Sequence, residues 1–356
     1  MARAATVEAQ DPQNPDLTLG ANATFYGDNT EFSNPFREGE TLLGTFASLF
    51  IDARLSDRLT LRGGVFGNQR FGSDDGFDEV RPVLALIIGQ PRSQLILGTL
   101  DTMRRADGPT FDPTGPDRTG PHGLLPPLQI ETLAFDRPWE AGLQWLVDGP
   151  RVRQDAWVHW QRLNTRDQRE IFDAGLTSRV RLREALALRT DLHLVHQGGQ
   201  LAASVAGPVA DSVAGAVGVE AGNAVPPLDR VSLEGYALVS RYVPDRESTA
   251  GARTGFGTFI RAAVEDGGWR AHAILWRGSD FIKVEGDPHY QSLRRDGSHF
   301  NGLRDYAEAG LTRTFVLARD SWLEASARWH RVENDYEYSF RILAHASLRM
   351  RLTKSP

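Results

Sequence analysis

Apolar and polar residues alternate along almost the whole chain from Asp16 to Leu352. Between Tyr336 and Leu352, apolar residues occupy nearly every second position, and serine, histidine, glutamate and arginine occupy most positions between them. Because successive side chains of a β-strand point to opposite faces, such a segment has one apolar and one polar face. A long series of these segments, with no helical period between them, predicts a closed barrel that is apolar outside and polar inside.

Sixteen such runs can be delimited in the sequence, each about as long as the ~9–11 residues that a tilted transmembrane strand needs. They are 16–26, 40–54, 58–70, 79–88, 93–101, 138–147, 151–163, 169–180, 183–196, 209–221, 230–242, 254–264, 269–278, 302–317, 321–333 and 336–352. The glycine-rich run 209–221 is the weakest, so fourteen or eighteen strands remain open. We therefore predict an all-β fold, an antiparallel transmembrane β-barrel of about 16 strands over residues 16–352. Residues 1–15 form a disordered tail in this interpretation, and 353–356 a short C-terminal tail.

The connections between the runs alternate in length. Even-numbered connections are tight turns, apart from a longer one between residues 221 and 230, whereas odd-numbered connections are mostly longer and reach their extremes at 102–137 and 279–301. Bacterial outer-membrane barrels have short periplasmic turns and long extracellular loops. The parity therefore supports the barrel independently of the alternation, and it places both ends of the chain in the periplasm.

The composition excludes several classes of protein. No run of 18 apolar residues is present, so membrane-spanning helices are excluded, and the mean hydropathy of −0.36 does not count against a barrel, because only alternate residues meet lipid. The net charge of −6 gives no reason to expect nucleic acid as a partner. The chain has no cysteine, hence neither disulfides nor cysteine metal sites. The first sixteen residues carry no apolar signal-peptide core, so we expect that an export signal has been removed.

With this arrangement of strands and loops, the chain resembles the bacterial outer-membrane porins over residues 16–352, at the level of architecture. In general porins the longest loop follows the fifth strand and folds into the barrel, and here the longest loop, 102–137, also follows the fifth run. The resemblance implies a location in the bacterial outer membrane, in contact with the bilayer and lipopolysaccharide. The C-terminal aromatic residue and the acidic loop signature of general porins are missing, which favours a less studied barrel family.

The alternation also assigns side chains to the lumen, and many of these are arginine or histidine. We predict that the pore-lining residues are Arg153, His159, Arg189, Asp191, His193, Arg328, His330, Arg341 and His345. Rings of arginine favour anions, so an electropositive pore is the functional interpretation. The alternative is that these cations pair with lumenal carboxylates and fill the barrel.

The long loop 102–137 carries charges of both signs. As a constriction loop it would set its charged residues against the arginine-bearing wall; these residues are Arg104, Arg105, Asp107, Asp112, Asp117 and Arg118. A structureless loop of this length is uncommon in compact proteins, which favours a function for it, although an ordinary extracellular loop remains the alternative. The acidic loop 73–79 could bind Ca²⁺ through its carboxylates, but it lacks the spacing of an EF-hand and is better explained as solvated.

These residues lead to the prediction of a channel for small or polymeric anionic solutes, acting by passive diffusion or export. The alternative is a structural barrel that anchors an envelope assembly, with a partner protein or further copies of the chain bound to it. No cofactor and no metal ion is predicted.

A hydrolase is the minor alternative. Asp191 and His193 share a strand face, as in outer-membrane proteases of the omptin type, and His345 and Ser347 pair a base with a hydroxyl, as in outer-membrane lipid deacylases. A serine and a histidine mean little without an orienting acid and an oxyanion hole, and both enzyme families are smaller barrels. We therefore predict that the protein is not an enzyme.

Overall fold

The computed structural model describes residues 16–102, 121–201, 207–318 and 320–352, and it forms a closed barrel of sixteen antiparallel strands. This confirms the predicted fold and its strand number. The strands are β1 (Asp16–Glu31), β2 (Thr41–Ser56), β3 (Leu59–Arg70), β4 (Glu79–Gln90), β5 (Ser93–Thr99), β6 (Ala141–Asp148), β7 (Val152–Arg162), β8 (Glu170–Arg183), β9 (Leu186–Gly198), β10 (Ala210–Val225), β11 (Leu228–Val243), β12 (Arg253–Asp266), β13 (Trp269–Ser279), β14 (Leu303–Ala318), β15 (Ser321–Val332) and β16 (Asp335–Arg351). No helix in the described ranges is long and apolar enough to cross a membrane.

Each strand pairs with its neighbours in sequence, and the barrel closes where β1 pairs with β16. This seam runs in unbroken register from Thr18 opposite Arg351 to Glu31 opposite Tyr338. Closure satisfies the hydrogen-bonding groups of every strand edge, which is the condition for placing a sheet in lipid.

The alternation in sequence becomes the two faces of the wall. On β16, Tyr338, Phe340 and Ile342 are about half exposed on the outside, whereas Ser339 and Arg341 between them are buried inside. Apolar side chains on the outer face of a transmembrane barrel contact lipid, and this contact avoids the free-energy cost of exposing them to water. The outer surface of the protein is therefore suited to a bilayer.

The predicted connection between residues 221 and 230 is shorter in the structure. The turn expected between residues 221 and 230 consists only of Pro226 and Pro227, because β10 extends to Val225 and β11 begins at Leu228. Residues 221–225 are small or polar, so their alternation is too weak to reveal a strand. With this correction, the β10–β11 connection is short like the other even-numbered ones.

Two of the long connections fold into the barrel and fill part of its lumen; we call residues 121–137 and 280–302 together the plug. Leu124, Leu125 and Leu128 from the first segment are completely buried, as is Phe281 from the second. They pack with wall residues in one apolar cluster. The two segments also bond to each other, since the Ile130 amide donates to the Glu285 carbonyl (2.7 Å) and the Asp287 amide to the Pro126 carbonyl (2.9 Å). The plug is thus a small core inside the barrel.

Candidate active site

A serine and a histidine from adjacent strands meet on the inner face of the wall. Ser339 of β16 places its Oγ 2.9 Å from Nε2 of His330 on β15. The β15–β16 register sets Ser339 opposite Arg328, two residues from His330, and this diagonal separation is within reach of a long side chain. Both residues are buried, with 6% of Ser339 and 5% of His330 exposed. The hairpin register therefore creates a serine–histidine pair that no local motif contains.

The second ring nitrogen of His330 leads to a carboxylate through a tyrosine. Nδ1 of His330 lies 2.8 Å from the hydroxyl of Tyr306, and that hydroxyl donates to Glu308 Oε2 at 2.6 Å. The single hydroxyl hydrogen is committed to the carboxylate, so Nδ1 must carry the hydrogen that the tyrosine oxygen accepts. This tautomer leaves the Nε2 lone pair to accept from Ser339, as a general base requires.

The orienting carboxylate is itself held in place. His272 Nε2 lies 2.9 Å from Glu308 Oε1, and Nδ1 of His330 lies 3.6 Å from Glu308 Oε2. The ring of His289, from the plug, stacks on Tyr306 with 5.0 Å between ring centroids. Burial lowers the pKa of His289 well below its ordinary value, so a neutral ring covers the tyrosine. These contacts restrict the acid–tyrosine–histidine chain to one geometry.

Two arginines flank the serine. Arg328 stands opposite Ser339 in the register, and Arg341 lies two residues further along β16 on the same face. Both donate to Glu131 of the plug, at 3.0 Å from Arg328 and 2.6 Å from Arg341, and Arg341 also donates to Asp28 at 2.6 Å. Positive charge beside a nucleophile can stabilise a developing oxyanion and can attract an anionic substrate.

A second histidine cluster lies on another part of the wall and has a different character. His122, in the plug, places Nδ1 2.8 Å from Asp155 and Nε2 3.0 Å from Glu140, and its ring stacks on Trp157. Burial would lower the pKa of His122, but the charges of Asp155 and Glu140 outweigh it and raise that pKa to about 10. Both nitrogens of this cation are occupied, so His122 serves as a clamp between plug and wall and not as a base.

Other groups in the described ranges bring metal-ligand types together. Glu140, His159 and Asp173 form one such group, and Asp173, His193 and Glu285 form another. In the first, His159 Nδ1 lies 3.2 Å from Asp173 and Glu140 is held by His122. Nearby, burial lowers the pKa of Lys283 to about 7, against the opposing charges of Glu285 and Asp173.

The residues predicted to line a pore occupy buried or half-buried positions of the wall, and each has a polar partner. Arg189 bonds Asp191 with two nitrogens, both at 2.9 Å, and Arg153 lies 3.5 Å from Asp148. His159 contacts Asp173, His193 contacts the Leu128 carbonyl, and Arg328 and Arg341 contact Glu131. Their role in conducting ions stays a prediction. The predicted constriction residues Arg104, Arg105, Asp107, Asp112, Asp117 and Arg118 lie outside the described residues.

The two enzyme-like pairs considered in the sequence do not form. Ser347 donates to Asn22 at 2.7 Å, and His345 lies 2.9 Å from the hydroxyl of Thr24, so both bond across the seam to β1. Asp191 is occupied by Arg189. The signal that was missed is the register of the β15–β16 hairpin, which follows from its two-residue turn at Glu333 and Asn334.

Comparison with known proteins gives a family. The profile of the family described as lipid A 3'-O-deacylase-type matches residues 8–355. The chain belongs to this family. The prediction that the protein is not an enzyme is therefore wrong, and the argument from barrel size that supported it fails, because a sixteen-stranded barrel lies within this enzyme family. No curated protein matches the sequence.

Solved structures share the fold of this deacylase-family chain at low sequence identity. A loop-deletion mutant of OmpT from Vibrio cholerae has a TM-score of 0.56 and 10% identity, covering 94% of this chain and 100% of that one. In-vitro folded OmpT from the same organism has a TM-score of 0.55 and 8% sequence identity, covering 96% of this chain and 100% of that one. OpdQ from Pseudomonas aeruginosa has a TM-score of 0.52 and 11% sequence identity, covering 94% of this chain and 99% of that one. The protein is a bacterial outer-membrane β-barrel, as the resemblance to porins implied at class level.

Proposed function

We propose that this chain is an outer-membrane ester hydrolase that removes an acyl chain from a lipid, with Ser339 as nucleophile and His330 as general base. The observation that carries the proposal is a series of three hydrogen bonds that all point the same way: Ser339 donates to His330, His330 donates to Tyr306, and Tyr306 donates to Glu308. Membership of the deacylase-type family supports the reaction class. The name of the family suggests lipid A, whose ester-linked acyl chains and phosphates match a serine between arginines.

The chemistry follows from the positions of these groups. Ser339 Oγ attacks the ester carbonyl while its proton passes to His330 Nε2, and the Arg328 guanidinium faces the oxyanion that forms. His330 returns the proton to the departing alcohol, leaving an acyl-serine. A water molecule, deprotonated by the same nitrogen, then releases the fatty acid and restores Ser339. Tyr306 and Glu308 stabilise the transient imidazolium, as the acid of a catalytic triad does.

Purified protein in detergent, incubated with lipopolysaccharide, tests this proposal by mass spectrometry of the lipid A product. The wild type should release one acyl chain, and Ser339→Ala should lower the rate by on the order of 10³-fold or more. Tyr306→Phe, which keeps the ring and removes the relay hydroxyl, should also lower the rate severely. Ser347→Ala is the matched control, because Ser347 is a lumenal serine of the same strand bonded to an asparagine.

A fluorophosphonate probe separates catalysis from folding. It should label the wild type and Ser347→Ala but not Ser339→Ala, and all three should show the same heat-modifiable migration of a folded barrel. Deacylation that persists unchanged in a folded Ser339→Ala protein would overturn the assignment of the nucleophile.

The anion channel and the structural barrel stay predictions from the sequence. The described residues favour the hydrolase over the channel, because the plug fills part of the lumen and the wall cations are paired. Conductance in planar bilayers is the direct measurement of the channel alternative.

A further inference from the structure

Three ligand-type atoms converge where the plug meets strands β8 and β9. His193 Nε2 lies 3.8 Å from Glu285 Oε2 and 4.0 Å from Asp173 Oδ1. All three atoms lie within 4.8 Å of one another. Asp173 and His193 come from adjacent strands, and Glu285 comes from the second plug segment, so the group exists only when the plug is docked.

Two of these three atoms have no hydrogen-bond partner among the described residues. They are His193 Nε2 and Glu285 Oε2, and the side chain of His193 is completely buried. A buried polar atom without a partner carries a desolvation cost of about 1–3 kcal/mol, so native proteins rarely leave two of them facing each other. An imidazole nitrogen and a carboxylate oxygen in this position are chemically suited to a shared cation.

The surrounding contacts leave two of the three ligand atoms unoccupied, while the third, Asp173 Oδ1, accepts from Trp157 Nε1 at 2.9 Å. His193 Nδ1 lies 3.1 Å from the Leu128 carbonyl, which accepts its hydrogen and turns the Nε2 lone pair toward the carboxylates. Gln161 donates to the other oxygens, Asp173 Oδ2 at 2.7 Å and Glu285 Oε1 at 2.9 Å. Arg137 also donates to Glu285 Oε1, at 2.6 Å. Partners of this kind on the non-ligating atoms are the usual outer shell of a metal site.

We infer that Asp173, His193 and Glu285 bind a divalent first-row transition-metal ion such as Zn²⁺. One imidazole and two carboxylates fit that class, whereas Ca²⁺ takes six to eight oxygen ligands. Bonds of about 2.0–2.2 Å in tetrahedral geometry separate ligand atoms by about 3.4 Å, so the two spacings from His193, 3.8 Å to Glu285 and 4.0 Å to Asp173, need to close by about 0.4–0.6 Å. The prediction of no metal from the sequence is replaced by this proposal.

The metal site is separate from the proposed hydrolase site. Strand β8 lies eight strands from β16 in the barrel order, on the opposite side of the wall. The ion would tie the second plug segment to β8 and β9, close to the contact of the first segment through Leu128. Its role is to fasten the plug, and its presence does not depend on the reaction assigned to Ser339.

Metal binding tests the proposal directly. Protein refolded in detergent and stripped with a chelator should take up about one equivalent of Zn²⁺, measured by calorimetry and elemental analysis. His193→Ala and Glu285→Gln should each weaken the affinity at least tenfold. His196→Ala is the matched control, because His196 lies on the same strand and is bonded to Asp211 at 2.7 Å, away from the cluster.

Co²⁺ provides a second readout that reports the ligands. The visible absorption of Co²⁺ bound to the wild type should show a low-symmetry site of nitrogen and oxygen ligands. This absorption should be lost in Glu285→Gln. The substitution is conservative and lies in the plug, so all strand residues stay intact. The proposal is overturned if the wild type binds less than half an equivalent of Zn²⁺, or if both variants bind it as tightly as His196→Ala. Displacement of Zn²⁺ by an equal concentration of Ca²⁺ would overturn the assigned metal class.

Discussion

Replacing His122 by leucine should detach the first plug segment from the wall. The substitution keeps an apolar side chain of similar size against Trp157 but removes the cation between Asp155 and Glu140. Breaking a buried ion pair by deleting one partner costs about 3–5 kcal/mol, because the remaining charge stays buried. The rise of the His122 pKa from 6.5 to about 10 corresponds to about 5 kcal/mol, which agrees in order of magnitude.

Hydrogen–deuterium exchange of the protein in detergent measures this loss. A decrease of about 3–5 kcal/mol in the free energy of docking should raise the local opening equilibrium of residues 121–137 by about 150- to 5000-fold. The amides of the seam between β1 and β16 should keep their protection. His299→Leu is the control, since the pair of His299 with Asp280 is partly exposed and its loss should cost less than about 1 kcal/mol.

The same clamp predicts a pH dependence. The pKa of His122 is higher in the docked segment than in the free chain, so its stabilisation is complete below pH 6.5 and is lost as the pH rises toward 10. Protection of residues 121–137, corrected for intrinsic exchange, should therefore decrease from pH 7 to 10 in the wild type but not in His122→Leu. Equal protection of the variant and the wild type at pH 7 would refute the clamp.

Three further predictions concern the barrel as a whole. Arg341→Gln should lower the free energy of unfolding by about 3–5 kcal/mol in urea titrations, because Asp28 would be left buried without its cation. Arg351→Gln, at an exposed pair with Asp16, should leave the free energy of unfolding nearly unchanged, and equal effects of the two substitutions would contradict this. The wild type should show no stable ohmic conductance in planar bilayers, and deletion of residues 281–292 should open discrete channels; steady conductance of the wild type would mean that the plug leaves a path. On intact cells, a thiol reagent should label Asp296→Cys in the β13–β14 connection but not Asp57→Cys in the β2–β3 turn, and the reverse pattern would invert the orientation.

The strands were predictable because each carries its own signal. The residues of a transmembrane strand must alternate between apolar and polar so that one face contacts lipid. Each of the sixteen runs can therefore be recognised in the sequence independently of the rest of the chain. The signal fails where the side chains are small or polar on both faces, as at residues 221–225 of β10 and 27–31 of β1. It also cannot show that Leu124, Leu125 and Leu128, apolar residues in a long loop, form a core inside the barrel.

The candidate site was not predictable from spacing along the chain. His345 and Ser347 lie two residues apart on one strand, yet each bonds to β1, because neighbours across a sheet approach more closely than alternate residues along it. Ser339 and His330 are separated by a turn and meet through their register. The approach of Glu285 to His193 and Asp173 is harder still to predict from the sequence, since it depends on how a loop packs in the lumen.

The seam between the first and last strands has a consequence for when the surroundings of the proposed nucleophile are assembled. Ser339 lies opposite Thr30 of β1 as well as Arg328 of β15, and the pair between Arg341 and Asp28 crosses the seam. The strand that carries the proposed nucleophile is the last of the sixteen along the chain, and its neighbour on one side is the first. A chain still in transit through the periplasm therefore lacks the seam pair that holds Arg341 beside the proposed nucleophile. Under the proposed assignment of Ser339, hydrolysis of membrane lipids should therefore begin only after the barrel has closed.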